Sequence, residues 1–292
     1  MKISIDNASP IMTQEDTCSV LAESLRKRGH EVKLHMGDHP FYTRINSFPC
    51  DYYFTDIGVI DQDMQHYLTN VRSDTLFLVN IPYNVNSNSV LAAEDMFMKN
   101  KINFKFIVNS NFSKKGFLVK HKRNLVNFCY GQTGTLLDKE DVQWNRKFDT
   151  LFLLQNNSCD INDLLKIAAT GETFHTLFSV KTTEEPKYLT MAGPIKSYKH
   201  ILCNYKSFCF WRLTDAPLGR DFYEIMRLRK PVYVYDPINV NHIHKTLKTE
   251  VDLSYSNKGN VNFQPLYDKV EQDFNFEKQV DKLLSHLPKV KK

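Results

Sequence analysis

The strongest constraint on the fold is an order of elements met twice along the chain. Lys2 to Asp6 alternates apolar and polar residues as a half-buried strand does, and a turn-rich Asn-Ala-Ser-Pro follows it. Glu15 to Arg28 then has helical spacing, Gly29 stops it, and Glu31 to His35 reads as a second strand. Strand, loop, helix, strand is the opening of a doubly wound parallel sheet. Further strands are predicted at Tyr52 to Ile57, Thr75 to Asn80, Phe104 to Val108 and Leu125 to Cys129. Residues 131 to 147 have neither periodicity and read as a linker. After it the order begins again, with Leu151 to Leu154, a polar loop and a helix Ile161 to Ala169 capped by Gly171.

The second series continues with predicted strands at Thr176 to Val180, Tyr188 to Ala192, Ser207 to Leu213 and Val232 to Tyr235. Helices are expected at Tyr198 to Tyr205 and Arg220 to Arg229, and one or two closing helices within Leu266 to Leu287. The expected organisation is an α/β chain of two doubly wound, Rossmann-like lobes facing a central cleft: residues 1–135, residues 148–270, and a closing C-terminal helix over 271–292. A chain of 292 residues with 42% apolar residues can bury cores of that size.

Composition removes several classes. The six cysteines, Cys18, Cys50, Cys129, Cys159, Cys203 and Cys209, form no CxxC pair and no zinc-spaced cluster, so reduced, buried thiols are expected and no metal site. No apolar run approaches the roughly 18 residues of a membrane span, and the first residues lead directly into a strand, so a soluble, cytoplasmic chain is expected. The net charge of +5 is unevenly spread. Between Asp95 and Asp138 there is no acidic residue, whereas Lys99, Lys101, Lys105, Lys114, Lys115, Lys120, Lys122 and Arg123 all fall there. Such a stretch attracts phosphates, polyanions or an anionic membrane, or is simply a solvated basic face.

The segment from Gly219 to Asp236 carries the most chemistry. A loop opens a short helix that ends at Lys230-Pro231 and delivers a strand, Val-Tyr-Val-Tyr. Arg220 and Glu224 are four apart and share a helical face near the N-terminus, where free N–H groups and a partial positive charge suit a diphosphate. Arg220 adds bidentate donors, and a carboxylate one turn along can accept from ribose hydroxyls. Spacing alone equally fits an ordinary intrahelical ion pair.

This helix, its proline and the following strand resemble the nucleotide-sugar-binding segment of GT-B glycosyltransferases, in which an Arg contacts the diphosphate and a Glu the ribose. Within that family the chain is most similar to the DNA glucosyltransferases of T-even phages, which glycosylate hydroxymethylcytosine. Those enzymes have a strand followed by Gly-x-Ile, whose isoleucine backbone holds uracil; Met191-Ala-Gly193-Pro-Ile195 stands in the matching place and nominates Gly193 and Ile195. Gln155-Asn156-Asn157 occupies the position of their phosphate-approaching loop without its glycines and arginine. The resemblance implies a UDP-sugar donor as substrate, with no tightly bound cofactor and the need for a divalent metal left open. It further implies double-stranded DNA as acceptor, a monomer, and the host cytoplasm if the chain is phage-encoded.

In the β-type phage enzyme the general base is an aspartate just after the fourth strand, and here Asn80 falls near that place. An amide cannot be a base. Asp56 and Asp6, each at the end of a predicted strand, are the alternatives; a retaining reaction, in which the leaving diphosphate takes the proton, needs neither. Strand-end aspartates also commonly cap the next turn. For a DNA acceptor, Lys114, Lys115, Lys120, Lys122 and Arg123 are expected to neutralise phosphates, with Tyr83 and Asn84 at the acceptor entrance. A transferase for saccharide or lipid-linked acceptors, and a non-catalytic nucleic-acid-binding protein of the same fold, remain the competing readings.

Overall fold

The strands form where β-branched and aromatic residues cluster between polar turns, and among the described residues every strand pair is parallel. The computed structural model describes residues 1–7, 17–36, 44, 47–57, 74–81, 87–108, 125–127, 148–153, 169, 174–176, 189–191, 204–210, 220–235, 247 and 249–288. Two compact units divide the chain: Met1–Leu136 together with Asn275–Lys292, and Leu137–Phe274.

The first unit contains β1 (Lys2–Asn7), α1 (Thr17–Lys27), β2 (Glu31–Met36), β3 (Tyr52–Asp56), β4 (Leu76–Asn80), α2 (Ser87–Lys99), β5 (Asn103–Val108) and β6 (Leu125–Asn127). Its sheet has the order β2-β1-β3-β4-β5-β6. The chain leaves β1 towards β2 on one side and resumes with β3 on the other, so the topological switch point lies at the carboxyl ends of β1 and β3.

Alternation along the strands builds two cores. Ile3, Ile5, Tyr52, Phe54, Leu76 and Leu78 project to one face, where Val20, Leu21 and Leu25 of α1 cover them. Tyr53, Phe77, Val79, Phe104 and Phe106 project to the other, under Val90, Ala93 and Phe97 of α2. The last helix of the chain, α5 (defined below), also lies on the first face, contributing Phe276, Val280 and Leu283. It is clamped to α1 by Arg28, which pairs with Glu277 and Asp281 and also donates to the Ser24 hydroxyl. Tyr52 adds a hydrogen bond to the Pro288 carbonyl.

The second unit runs β7 (Phe148–Leu153), β8 (Phe174–Thr176), β9 (Leu189–Met191), β10 (Tyr205–Phe210), α3 (Arg220–Arg227), β11 (Val232–Val234) and α4 (Gln264–Asp273). A break at Phe274-Asn275 separates α4 from α5 (Phe276–Ser285), whose first turn is capped by the Asn275 side chain accepting from the N–H groups of Glu277 and Lys278. The sheet order is β11-β10-β7-β8-β9, again with a switch point, here between β7 and β10. Thr150 and Ser207 share a buried hydroxyl hydrogen bond of 2.9 Å across that central pair.

Three helices end on the same backbone device. In α1, Gly29 takes φ +78° and His30 N–H returns to the Leu25 carbonyl, which satisfies carbonyls the helix itself leaves open. In α2, Lys101 at φ +55° and Ile102 do the same, as do Arg229 at φ +54° and Lys230 after α3. The left-handed residue explains why α3 stops at Arg227 rather than the expected Arg229; Pro231 then forbids continuation.

Other boundaries also differ from the sequence expectation. The helix α2 was not anticipated after the polar loop that begins at Tyr83, although Val90, Ala93 and Phe97 have helical spacing. The expected strand 176–180 meets β8 at Thr176, and its residues 177–180 lie outside the described residues. The expected helix over 198–205 cannot include its last residue, because Tyr205 opens β10 and pairs with Phe148 of β7. A long-range ladder overrides local helical preference there. Asn204, just before it, is helical as expected; residues 198–203, the expected helix 161–169 apart from Ala169, and the linker 131–147 lie outside the described residues.

Candidate functional site

In the first unit the polar side chains gather at the carboxyl ends of β1, β3 and β4, where the apolar pattern of each strand stops. Ile3 pairs with Tyr52 and Ile5 with Phe54, so Asp6 shares a face with Thr55 and lies on the opposite face from Asp56. Asp6 and Asp56 are therefore two different sites. Asp6 is buried, accepts from Arg44 Nη2 at 3.0 Å and Thr55 Oγ1 at 3.3 Å, and has Arg44 Nε 3.0 Å from its second oxygen. Burial raises the affinity of Asp6 for a proton, Arg44 and Thr55 oppose this, and the charge of Asp56 adds to the rise. Beside it on the same face are Ser4 and His35, 3.4 Å apart, and Tyr53, whose hydroxyl burial and Asp6 hold far on the protonated side.

Asp56 is only partly buried. It stands opposite Asn80 in the β3–β4 ladder, and Asn80 Nδ2 donates to its Oδ1 at 2.6 Å. Burial pushes the Asp56 carboxyl above its ordinary value, and the hydrogen bond from Asn80 opposes that rise. A carboxylate with one oxygen held, at the edge where doubly wound sheets bind ligands, can accept a proton from a bound hydroxyl. Asp6, held by a guanidinium and a hydroxyl, is the less available of the two.

In the second unit α3 begins after β10, at the switch-point side of the sheet, so its N-terminal N–H groups stand where such sheets take phosphates. The helix is held by its apolar face: Phe222 lies against Phe210 and Tyr223 stacks on Phe274, with ring centroids 4.9 Å apart. Glu224 is 1% exposed, deep in this packing, whereas Arg220 forms the first residue of the helix. An open-face ion pair of surface type does not describe Glu224. Lys230, also buried, donates to the Tyr205 carbonyl at 2.6 Å and fastens the end of α3 to the start of β10.

β9 ends at Met191, the strand that leads into the Gly193-Pro-Ile195 segment. Gly193, Ile195, Gln155, Asn156, Asn157, Tyr83, Asn84, Lys114, Lys115, Lys120, Lys122 and Arg123 lie outside the described residues. Of the basic stretch, Lys99, Lys101 and Lys105 are described: Lys99 and Lys101 close α2, and Lys105 donates to the His286 carbonyl at 3.2 Å at the end of α5. Among the described residues no group of His, Cys, Asp and Glu converges as a metal site, and no helix is long and apolar enough to cross a membrane. The chain does carry one Asp-x-Asp triplet, Asp61-Gln62-Asp63, outside the described residues. Arg44 is the site residue that sequence reading missed; a lone cation in a segment without periodicity carries no signal.

Comparison of the whole chain with solved structures settles the architecture. AviGT4, a glycosyltransferase of avilamycin A biosynthesis, superposes with a TM-score of 0.63 at 10% identity, over 97% of this chain and 96% of its own. HepE of Anabaena, solved with UDP-glucose, superposes with a TM-score of 0.64 at 11% identity, over 98% of this chain and all of its own. The fold is GT-B. At these identities the likeness extends to the fold of the GT-B glycosyltransferases and not to a choice of acceptor. No protein-family model matches the sequence, and no curated protein does.

Proposed function

We propose that this GT-B chain is a glycosyltransferase that takes a sugar from a UDP-sugar and places it on a hydroxymethylated pyrimidine of double-stranded DNA. The observation that carries the transferase reading is the placement of α3: the helix opening with Arg220 starts at the switch-point edge of the second sheet. The donor diphosphate binds at that N-terminus with Arg220, Glu224 supports the ribose side, and Gly193 and Ile195 hold the uracil. That HepE is known with UDP and with UDP-glucose supports this choice of donor.

Asp56 is the general base. It takes the proton of the acceptor hydroxyl as the oxygen attacks the anomeric carbon; the bond from that carbon to the diphosphate oxygen breaks, and UDP leaves with the electron pair. Asp56 is preferred to Asp6 because Arg44 and Thr55 already occupy the Asp6 carboxylate. The acid-free stretch with Lys114, Lys115, Lys120, Lys122 and Arg123 supports a polyanionic acceptor, and among polyanions DNA agrees with the resemblance in the sequence. A second reading, transfer to a saccharide or natural-product acceptor, is favoured by the likeness to AviGT4.

Incubation of the protein with a panel of UDP-sugars and duplex DNA containing hydroxymethylcytosine, followed by mass spectrometry of the nucleosides, tests this directly. A glycosylated nucleoside is expected. UDP release with oligosaccharide acceptors and none with DNA would establish the second reading, and no UDP-dependent thermal stabilisation would end both.

A further inference from the structure

The Asp56–Asn80 pair has a property that neither residue has alone. The two side chains sit opposite one another at the ends of adjacent strands, on the face of the sheet that α1 covers, and are joined by the 2.6 Å bond from Asn80 Nδ2. The amide oxygen of Asn80 is enclosed and has no hydrogen-bond partner. An enclosed carbonyl oxygen without a hydrogen bond is destabilising, a cost that an apolar residue at this position would not carry. An amide in this place is structurally unfavourable, so its use lies in what its N–H does for Asp56.

A fixed N–H donor on Oδ1 favours the ionised carboxylate, restrains its rotation and leaves Oδ2 to meet a substrate hydroxyl. A carboxylate at position 80 would act the other way, because two adjacent carboxyls share a proton. Among the described residues, the other charged and titratable groups at this end of the sheet are Asp6, His35 and Tyr53 on the opposite face, with Arg44 opposing the charge of Asp6. On the Asp56 face, Lys105 of β5 is turned to the His286 carbonyl, and the Arg28–Glu277–Asp281 cluster joins α1 and α5 at the far end of α1. Among the described residues Asn80 is thus the immediate polar neighbour through which the state of Asp56 is set.

We propose that Asn80 is a positioning residue for sugar transfer, holding Asp56 Oδ1 so that the carboxylate stays ionised and presents Oδ2 to the acceptor hydroxyl. The inference rests on the reading of Asp56 as the base, and its test separates the two. Full-length Asn80→Ala, Asn80→Asp and Asp56→Asn are compared with the unsubstituted chain, with UDP-dependent thermal stabilisation confirming that each folds. Carboxyl carbon NMR follows the titration of Asp56 itself, and UDP release from UDP-glucose with hydroxymethylcytosine duplex DNA follows turnover across the same pH range. The Asp56 midpoint is expected to move to higher pH in Asn80→Ala and further in Asn80→Asp, and the acid limb of kcat to move with it, while KM for UDP-glucose stays the same. An unmoved Asp56 midpoint in both Asn80 variants overturns the proposal, whatever the turnover. A midpoint that moves while the kcat profile does not, or an Asp56→Asn protein that still turns over, overturns instead the assignment of the base.

Discussion

Arg44 meets the Asp6 carboxylate at two points, Nη2 donating to Oδ2 at 3.0 Å and Nε lying 3.0 Å from Oδ1, with both side chains buried. The pair ties the segment between β2 and β3 to the end of β1. Removing one member of a buried pair leaves the other uncompensated. Arg44→Met is therefore expected to destabilise the first unit by roughly 3 kcal/mol or more, read from the urea midpoint, and the double variant Arg44→Met/Asp6→Leu is expected to recover much of the loss.

Asp56→Asn should separate stability from activity. Burial raises the Asp56 carboxyl in the folded chain, so the native state binds the proton more tightly than the unfolded one. Stability from this group therefore falls as pH rises from the ordinary aspartate range through the raised value, and stays lower above it. The amide variant removes that decline and can still accept from Asn80. It is expected to be at least as stable as the natural chain at neutral pH while losing on the order of 100-fold or more in kcat, measured by thermal unfolding and UDP release.

Helix ends offer a test of the backbone alone. Lys101 holds φ +55°, a conformation glycine adopts without penalty, so Lys101→Gly is expected to add about 0.5–1 kcal/mol of stability. Gly29→Ala, at φ +78°, is expected to cost about 1 kcal/mol, although no atom obstructs a Cβ there. Denaturant titration of the two variants checks both signs.

Arg220→Ala removes the charged donor from the first residue of α3. Binding of UDP, measured by calorimetry, is expected to weaken by roughly 2 kcal/mol, while the melting temperature without ligand changes little. Unchanged affinity would place the diphosphate elsewhere.

Replacing Lys114, Lys115, Lys122 and Arg123 together with Ala is expected to weaken binding to duplex DNA and to reduce the slope of log affinity against log salt by up to about 3.6. An unaltered slope would assign DNA binding to another surface.

The sequence disclosed what repeats and what alternates. Strand order in both units follows from strand, loop, helix, strand, and Asp56 was visible because it ends an apolar run. The limits have physical causes. Tyr205 looked helical because its partner Phe148 lies 57 positions away, and ladders of that range leave no local mark. Arg44 had no periodic neighbours to flag it, and the burial of Glu224, which spacing left open between a ribose contact and an ordinary ion pair, is a property of the folded unit. The pairing of Asn80 with Asp56 depends on register, which the strands acquire only together.

The helix α5 follows the whole second unit in the chain and yet belongs to the first sheet. Phe276, Val280 and Leu283, all fully buried, close with Leu287 a core whose remaining buried members, Ile3 to Val126, are synthesised more than 140 residues earlier. At about 2 kcal/mol for each such side chain, that contribution is comparable to the whole net stability of a domain. During translation the first unit must wait with one apolar face open until α5, made after the whole second unit, leaves the ribosome. Closure of the first core thus follows synthesis of the second unit, and loss of α5 would be felt first by the sheet of β1 to β6.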